Sequence, residues 1–145
     1  MKIQVLRGRS IVSGRSKAVA LVSAKPISFF GGVDPITGEI TERDHDLRGE
    51  NVRGKVLCFP HGHGSTVGSY VLYSLAKRGL GPRAIVNERA DPVIVVGAII
   101  ANIPMVDQVD ISLIKNGDEV EVDGEKGTVT VFRREQAPLC ICFCV

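Results

Sequence analysis

A chain of 145 residues with a net charge of +2, 44% hydrophobic and 23% charged, fits one globular domain able to bury its own core. Apart from Arg133-Arg134 and the Arg7/Arg9 alternation, its basic residues are scattered, which excludes the basic stripe of a nucleic-acid-binding protein. The longest apolar run, Val93 to Ala101, is about half of what a bilayer requires, and the N-terminus lacks the apolar core and small-residue cleavage site of a signal peptide, so a cytoplasmic location is expected.

Ile3 and Val5 alternate with polar neighbours, as in a half-buried strand. Lys17 to Ser23 is apolar on both faces and suits an interior strand. The segment Pro26 to Ile40 is dense in Gly and Pro yet carries Phe29-Phe30, with a turn at Asp34 to Gly38. Either the Phe pair plugs the core beneath an ordinary loop, or the segment meets another molecule. Lys55 to Phe59 reads as a short buried strand ended by Pro60.

Ser65 to Lys77 then has a helical pattern, with Val67, Val71, Leu72 and Leu75 on one face, Ser65 or Thr66 as N-cap, and Gly79 or Gly81 as the stop. Ala84 to Val86 is another strand. In the nine-residue apolar run Val93 to Ala101 the β-branched content favours a strand, but the Asp91-Pro92 start and the length of the run predict a second helix. A strand near Met105-Val106 and a turn at Ile114 to Asp118 follow, and Glu119 to Val122 pairs with Thr128 to Phe132 across Asp123-Gly124. The expected result is a compact barrel-like β/α domain over residues 1–145, with 135–145 as a flexible or partner-facing tail.

The turn Gly62-His63-Gly64-Ser65-Thr66, between a buried strand and a helix start, is a ready anion site. Unpaired N–H groups converge there and the helix dipole favours negative charge. It is neither a Walker loop, lacking Gly-Lys-Ser/Thr, nor a dinucleotide fingerprint, lacking the third glycine and the downstream acid. Ser65 is either a helix cap or, because the same donors stabilise an alkoxide, a nucleophile or base. His45, His61 and His63 read either as surface or substrate-facing imidazoles or as a metal site. Cys58, in an apolar run, reads as a small buried hydrophobe. Cys140, Cys142 and Cys144 share one face of an extended tail but lack the two-residue separation usual in zinc sites.

Ser28-Phe29-Phe30-Gly31-Gly32-Val33-Asp34-Pro35-Ile36-Thr37-Gly38, then His45, then Gly62-His63-Gly64-Ser65-Thr66-Val67-Gly68-Ser69, resembles the small subunit of the aconitase-X-type dehydratases. The resemblance runs from about Ile3 to Val131. It implies an α/β fold, a swivelling β/β/α barrel-like domain related to the mobile domain of aconitases. It also implies a separate large subunit carrying a 4Fe-4S cluster, whose open iron acts as Lewis acid on the leaving hydroxyl, with no metal bound by this chain alone. Ser65 takes the position of the proton acceptor, with Gly64, Thr66, His63, Gly31, Gly32 and Asp34 as substrate-binding residues. In the archaeal form of the family, the implied reaction is dehydration of (R)-5-phosphomevalonate to trans-anhydromevalonate 5-phosphate in a modified mevalonate pathway. Other readings stay open: a small subunit of a cis-3-hydroxy-L-proline dehydratase, a stand-alone anion-binding module, and a metal-binding protein built on the three histidines.

Overall fold

The first strand, β1 (Lys2–Arg7), and the second, β2 (Arg9–Val12), are separated only by Gly8, yet they lie at opposite ends of the hydrogen-bonded strand order. The computed structural model describes residues 1–134; the tail from 135 onward, with Cys140, Cys142 and Cys144, lies outside them. The remaining strands are β3 (Arg15–Val22), β4 (Val56–Phe59), β5 (Ala84–Asn87), β6 (Met105–Asp107), β7 (Glu119–Asp123) and β8 (Thr128–Arg133). They join in the order β1-β8-β7-β3-β4-β5-β6-β2. Because β1 runs directly into β2, the two ends of this order are one stretch of chain, and the sheet curls into a barrel. The Gly8 N–H donates to Gly127 O at 2.8 Å, the Gly124 N–H donates to Gly14 O at 2.7 Å, and the Ser10 hydroxyl donates to Gly124 O.

Strand β3 joins two kinds of sheet. Arg15 to Val19 pair antiparallel with β7, whereas Ala20 to Val22 pair parallel with β4. The β4 and β5 strands, buried on both faces, alternate between two cores. Val56, Cys58, Ala84 and Val86 join Leu6, Val106, Val120, Val122, Val129 and Val131 in the barrel interior. Leu57, Phe59 and Ile85 face a second layer built from Leu72, Leu75, Ile94 and Ala98 of the helices and from Ile27, Phe29, Val33 and Ile40.

Two helices cover that outer layer, α2 (Gly68–Lys77) and α3 (Pro92–Ala101), preceded by one irregular turn, α1 (Phe29–Gly32). The α3 boundaries follow the sequence expectation. The Asp91 carboxylate accepts the Val93 N–H at 3.2 Å, Pro92 occupies the first turn, and Asn102 closes the helix in the left-handed region. The helices cross closely, since a Cβ on Gly97 would stand 2.9 Å from Leu72 and 3.2 Å from the Ser69 backbone.

Two expectations need correction, and one strand was not anticipated. Ile3 and Val5 are 58% and 50% exposed, and Leu6 is the buried residue of β1; Leu6 enters the barrel interior, so positions 3 and 5, on the opposite face, turn outward. The unanticipated strand is β2, which has just two apolar residues, too few to set a pattern. Helix α2 begins at Gly68 rather than Ser65, and its buried face is Gly68, Ser69, Leu72 and Leu75, leaving Val67 44% exposed. Small residues at its start permit the close crossing with α3, which the apolar-face rule does not anticipate.

The β7–β8 pair is fastened by a near-buried carboxylate. Arg133 donates to Asp118 from Nε at 3.1 Å and from Nη2 at 2.6 Å, and the Lys115 N–H adds a bond of 2.9 Å. The hydrogen bonds from Arg133 hold the Asp118 carboxyl below the usual carboxylate range, against burial, which pushes it up. The unfolded chain therefore binds this proton more tightly than the folded one. The stabilisation is complete above the usual carboxylate range and is lost as pH falls through the lowered folded value. Asp118→Asn is expected to lower stability by about 1–2 kcal/mol near neutral pH, with the difference from the parent narrowing in strong acid. Thermal unfolding across pH checks this; a difference of equal size in strong acid would show that the charge is not its source.

Candidate active site

At the end of β4 the chain passes through Pro60, whose carbonyl accepts the N–H groups of Glu88 and Arg89 at 3.0 Å each. It then lies beside the segment that follows β3. The Ile27 N–H donates to His61 O at 3.3 Å and the His63 N–H to Ile27 O at 3.1 Å, forming a short parallel bridge around Gly62. Gly62 is pinned to the start of α3, its N–H donating to Asp91 Oδ1 at 3.1 Å. A Cβ there would run into Asp91 Oδ1 and Ile94, so only glycine fits. Gly64 has φ +91°, a left-handed conformation, and its Cα faces the Ser28 hydroxyl.

Ser65, Thr66 and Val67 form the turn that leads into α2. The Gly68 N–H donates to Ser65 O at 3.0 Å, and the Ser69 N–H and hydroxyl donate to Thr66 O at 3.2 and 2.9 Å. Ser65 is exposed, and its Oγ accepts the Val67 N–H at 3.2 Å. Ser65 thus caps the leading turn rather than the helix proper, whose start carries no side-chain cap. Among the described residues, the N–H groups of Gly64, Ser65 and Thr66 meet no acceptor. Unpaired backbone donors on the same turn as an exposed hydroxyl suit an anion.

The Gly/Pro-rich segment resolves its two phenylalanines in opposite ways. Phe29 is 1% exposed, deep in the helix-facing core, and Phe30 is 53% exposed. Phe30, Gly31, Asp34 and Thr41 line a cleft of about 350 Å³ together with Val67 and Val71 from the α2 side. Asp34 organises its own turn, its Oδ1 accepting the Ile36 N–H at 2.8 Å. Gly32 O accepts the N–H groups of Thr41 and Glu42 at 2.9 and 3.1 Å.

The predicted residues therefore fall in three places. Gly31 and Asp34 line the cleft, Gly32 and His63 meet at Glu42, and Gly64, Ser65 and Thr66 form the exposed rim at the α2 start. Sequence reasoning gave no role to Ser28 or Glu42. The partners of Glu42, Ser28 and His63, lie 14 and 21 positions away, so no local spacing signals them.

The histidines do not act together. Buried His45 accepts the Leu47 N–H on Nδ1 at 3.0 Å, which leaves Nε2 to donate to Pro26 O, also at 3.0 Å. Its ring is spent on holding the chain. Among the described residues, no group of three His, Cys, Asp or Glu side chains could hold a metal ion. Cys58 is fully buried, and burial pushes its thiol well above the ordinary range, as suits an inert core residue. No helix among the described residues is long and apolar enough to cross a membrane.

The family model of the aconitase X swivel domain matches residues 5–131. The phosphomevalonate dehydratase small subunit of Pyrococcus furiosus is 56% identical over 126 residues, 87% of this chain and 94% of that one. The crystal structure of Thermococcus kodakaraensis aconitase X in its holo form superposes with a TM-score of 0.88 at 48% identity, covering 90% of this chain and 99% of that one. More distantly, 3-isopropylmalate dehydratase from Methanocaldococcus jannaschii shares the fold, with a TM-score of 0.56 at 15% identity over 85% of this chain and 84% of that one. The chain belongs to the aconitase X swivel-domain family, and the swivelling α/β fold expected from the resemblance is the one observed. Within that family it groups with the phosphomevalonate dehydratase small subunits, and it is a subunit of a hydro-lyase.

Proposed function

We propose that this chain is the small subunit of a heteromeric, cytoplasmic enzyme that removes water from (R)-5-phosphomevalonate, giving trans-anhydromevalonate 5-phosphate in a modified archaeal mevalonate pathway. Ser65 is the proton acceptor. One observation carries this reading: an exposed serine hydroxyl stands where the N–H groups of Gly64, Ser65 and Thr66 have no acceptor among the described residues. Loss of water next to a carboxylate requires a base for the proton on the adjacent carbon. A serine hydroxyl is a poor base in water, because its alkoxide is too high in energy. Fixed backbone donors and the start of α2 lower that energy at Ser65.

Gly64, Thr66 and His63 on the turn, and Gly31, Gly32 and Asp34 on the facing loop, are the residues we assign to substrate. The 4Fe-4S cluster expected for the family does not fit the described part of this chain. Cys58 is sealed in the barrel interior, and no set of three ligands converges. We assign the cluster to the large subunit. The phosphomevalonate dehydratase relatives are small subunits, which supports such a partner.

The isolated chain is expected to be folded and inactive, and addition of the large subunit under anaerobic conditions to restore dehydration of (R)-5-phosphomevalonate. Turnover by the chain alone would overturn the two-subunit reading. Turnover of cis-3-hydroxy-L-proline in place of the phosphorylated acid would keep the reaction class and replace the substrate.

A further inference from the structure

Glu42 touches both halves of the candidate site. It lies in the stretch after the Gly/Pro-rich loop, with its side chain 21% exposed. Its Oε1 accepts the Ser28 N–H at 2.8 Å, at the root of the loop that carries Gly31, Gly32 and Asp34. Its Oε2 lies 3.2 Å from Nε2 of His63, two residues before Ser65. The Glu42 N–H donates to Gly32 O at 3.1 Å, and a Cβ on Gly32 would stand 2.6 Å from Oε1, so Gly32 leaves the space this carboxylate occupies. Ser28 also faces Gly64, and its hydroxyl donates to Phe30 O at 2.9 Å. The carboxylate is the one side chain among the described residues that bonds to both the Ser28 backbone and the His63 ring.

We propose that Glu42 is a positioning residue of the reaction, one carboxylate oxygen holding the substrate loop and the other holding the serine turn. The inference rests on the functional reading above, since it gives Glu42 the task of fixing the Ser65 turn relative to the loop that receives substrate. A carboxylate suits this better than any other side chain, because it offers two coplanar acceptors and strengthens each bond with its charge. Aspartate falls short by one methylene, about 1.5 Å, and holds only one side at a time. Glutamine keeps an acceptor for Ser28 and presents an N–H to an unprotonated nitrogen of His63. Misplacement of reacting groups by about 1 Å is enough for a hundredfold loss of rate.

The test uses the full chain and the reconstituted two-subunit enzyme. Glu42→Ala and Glu42→Asp are expected to lower kcat about 10- to 100-fold, with subunit association intact. Glu42→Gln is expected to recover most of the rate. In the isolated full chain, hydrogen exchange at the Ser28 amide is expected to speed up in Glu42→Ala and to stay near the parent rate in Glu42→Gln. Unchanged exchange in Glu42→Ala would overturn the clamp, whatever the enzyme does. Faster exchange with an unaltered kcat would overturn the positioning role. If the reconstituted parent dehydrates neither substrate, the functional reading falls, and the Ser28 exchange still upholds or overturns the clamp.

Discussion

Ser65→Ala in the reconstituted enzyme is expected to lower kcat by about 10²- to 10⁴-fold, the range a positioned base supplies, while the two subunits remain associated. The structural consequence of the same change is small. Ser65 Oγ makes one bond, from the Val67 N–H, in a turn that precedes the helix, so its loss costs about 1 kcal/mol or less. The two measurements separate base from cap. Loss of turnover with an unchanged melting temperature assigns the proton to Ser65. A near-normal rate would remove Ser65 from the chemistry and leave it as a turn-former.

The second large effect concerns two adjacent residues of the same type. Phe29 is sealed among Ile27, Val33, Ile40 and the helices, and Phe29→Ala is expected to destabilise the chain by about 3–5 kcal/mol, since the loop cannot close over the space left. Phe30→Ala is expected to stay within about 0.5 kcal/mol of the parent, because the ring is half in solvent. Thermal unfolding of both variants decides the matter. Equal losses would mean that the loop is seated with both rings inside. Phe30 forms a wall of the cleft beside Gly31 and Val67, so its removal changes the cleft rather than the fold.

Those two rings show where the sequence is readable and where it stops. A Phe pair in a Gly-rich segment signals an anchored loop, but which ring turns inward depends on the backbone at residues 28–32, whose irregular turn has no periodicity to follow. Helix α3 was legible against the strand preference of its β-branched residues, because the Asp91 cap and Pro92 act on the nearest backbone groups. The β4, β5, β7 and β8 strands were legible as short apolar or alternating runs between turns. The face of β1 was not, because it depends on which strand lies beside it, and that partner, β8, is about 130 residues away. The start of α2 was misplaced because Ser65 resembles a cap, but Ser65, Thr66 and Val67 form a tighter turn that leads into the helix at Gly68.

The candidate site divides along the same line. The Gly62 to Thr66 turn announces itself, since glycines before a serine at a helix start serve few purposes besides exposing backbone donors. Gly62 owes part of its identity to Asp91, however, which a reading of the turn alone does not include. Glu42 sits in a charged stretch, Thr41-Glu42-Arg43-Asp44, that looks like any solvated surface. Only the fold brings its carboxylate between Ser28 and His63.

The pairing of β1 with β8 sets Lys2 opposite Arg133. On the ribosome, the first strand to emerge must therefore wait for nearly the last, while β3, β4, β5 and β6, with both helices between them, already have one another. During that interval the nascent chain presents a half-built parallel sheet with an unpartnered N-terminal segment. Folding that ends on so distant a contact is slow compared with local helix pairing. Until β1 arrives, the outer edge of β8 stands open as a template on which a second chain could add, and the β1 contact covers it.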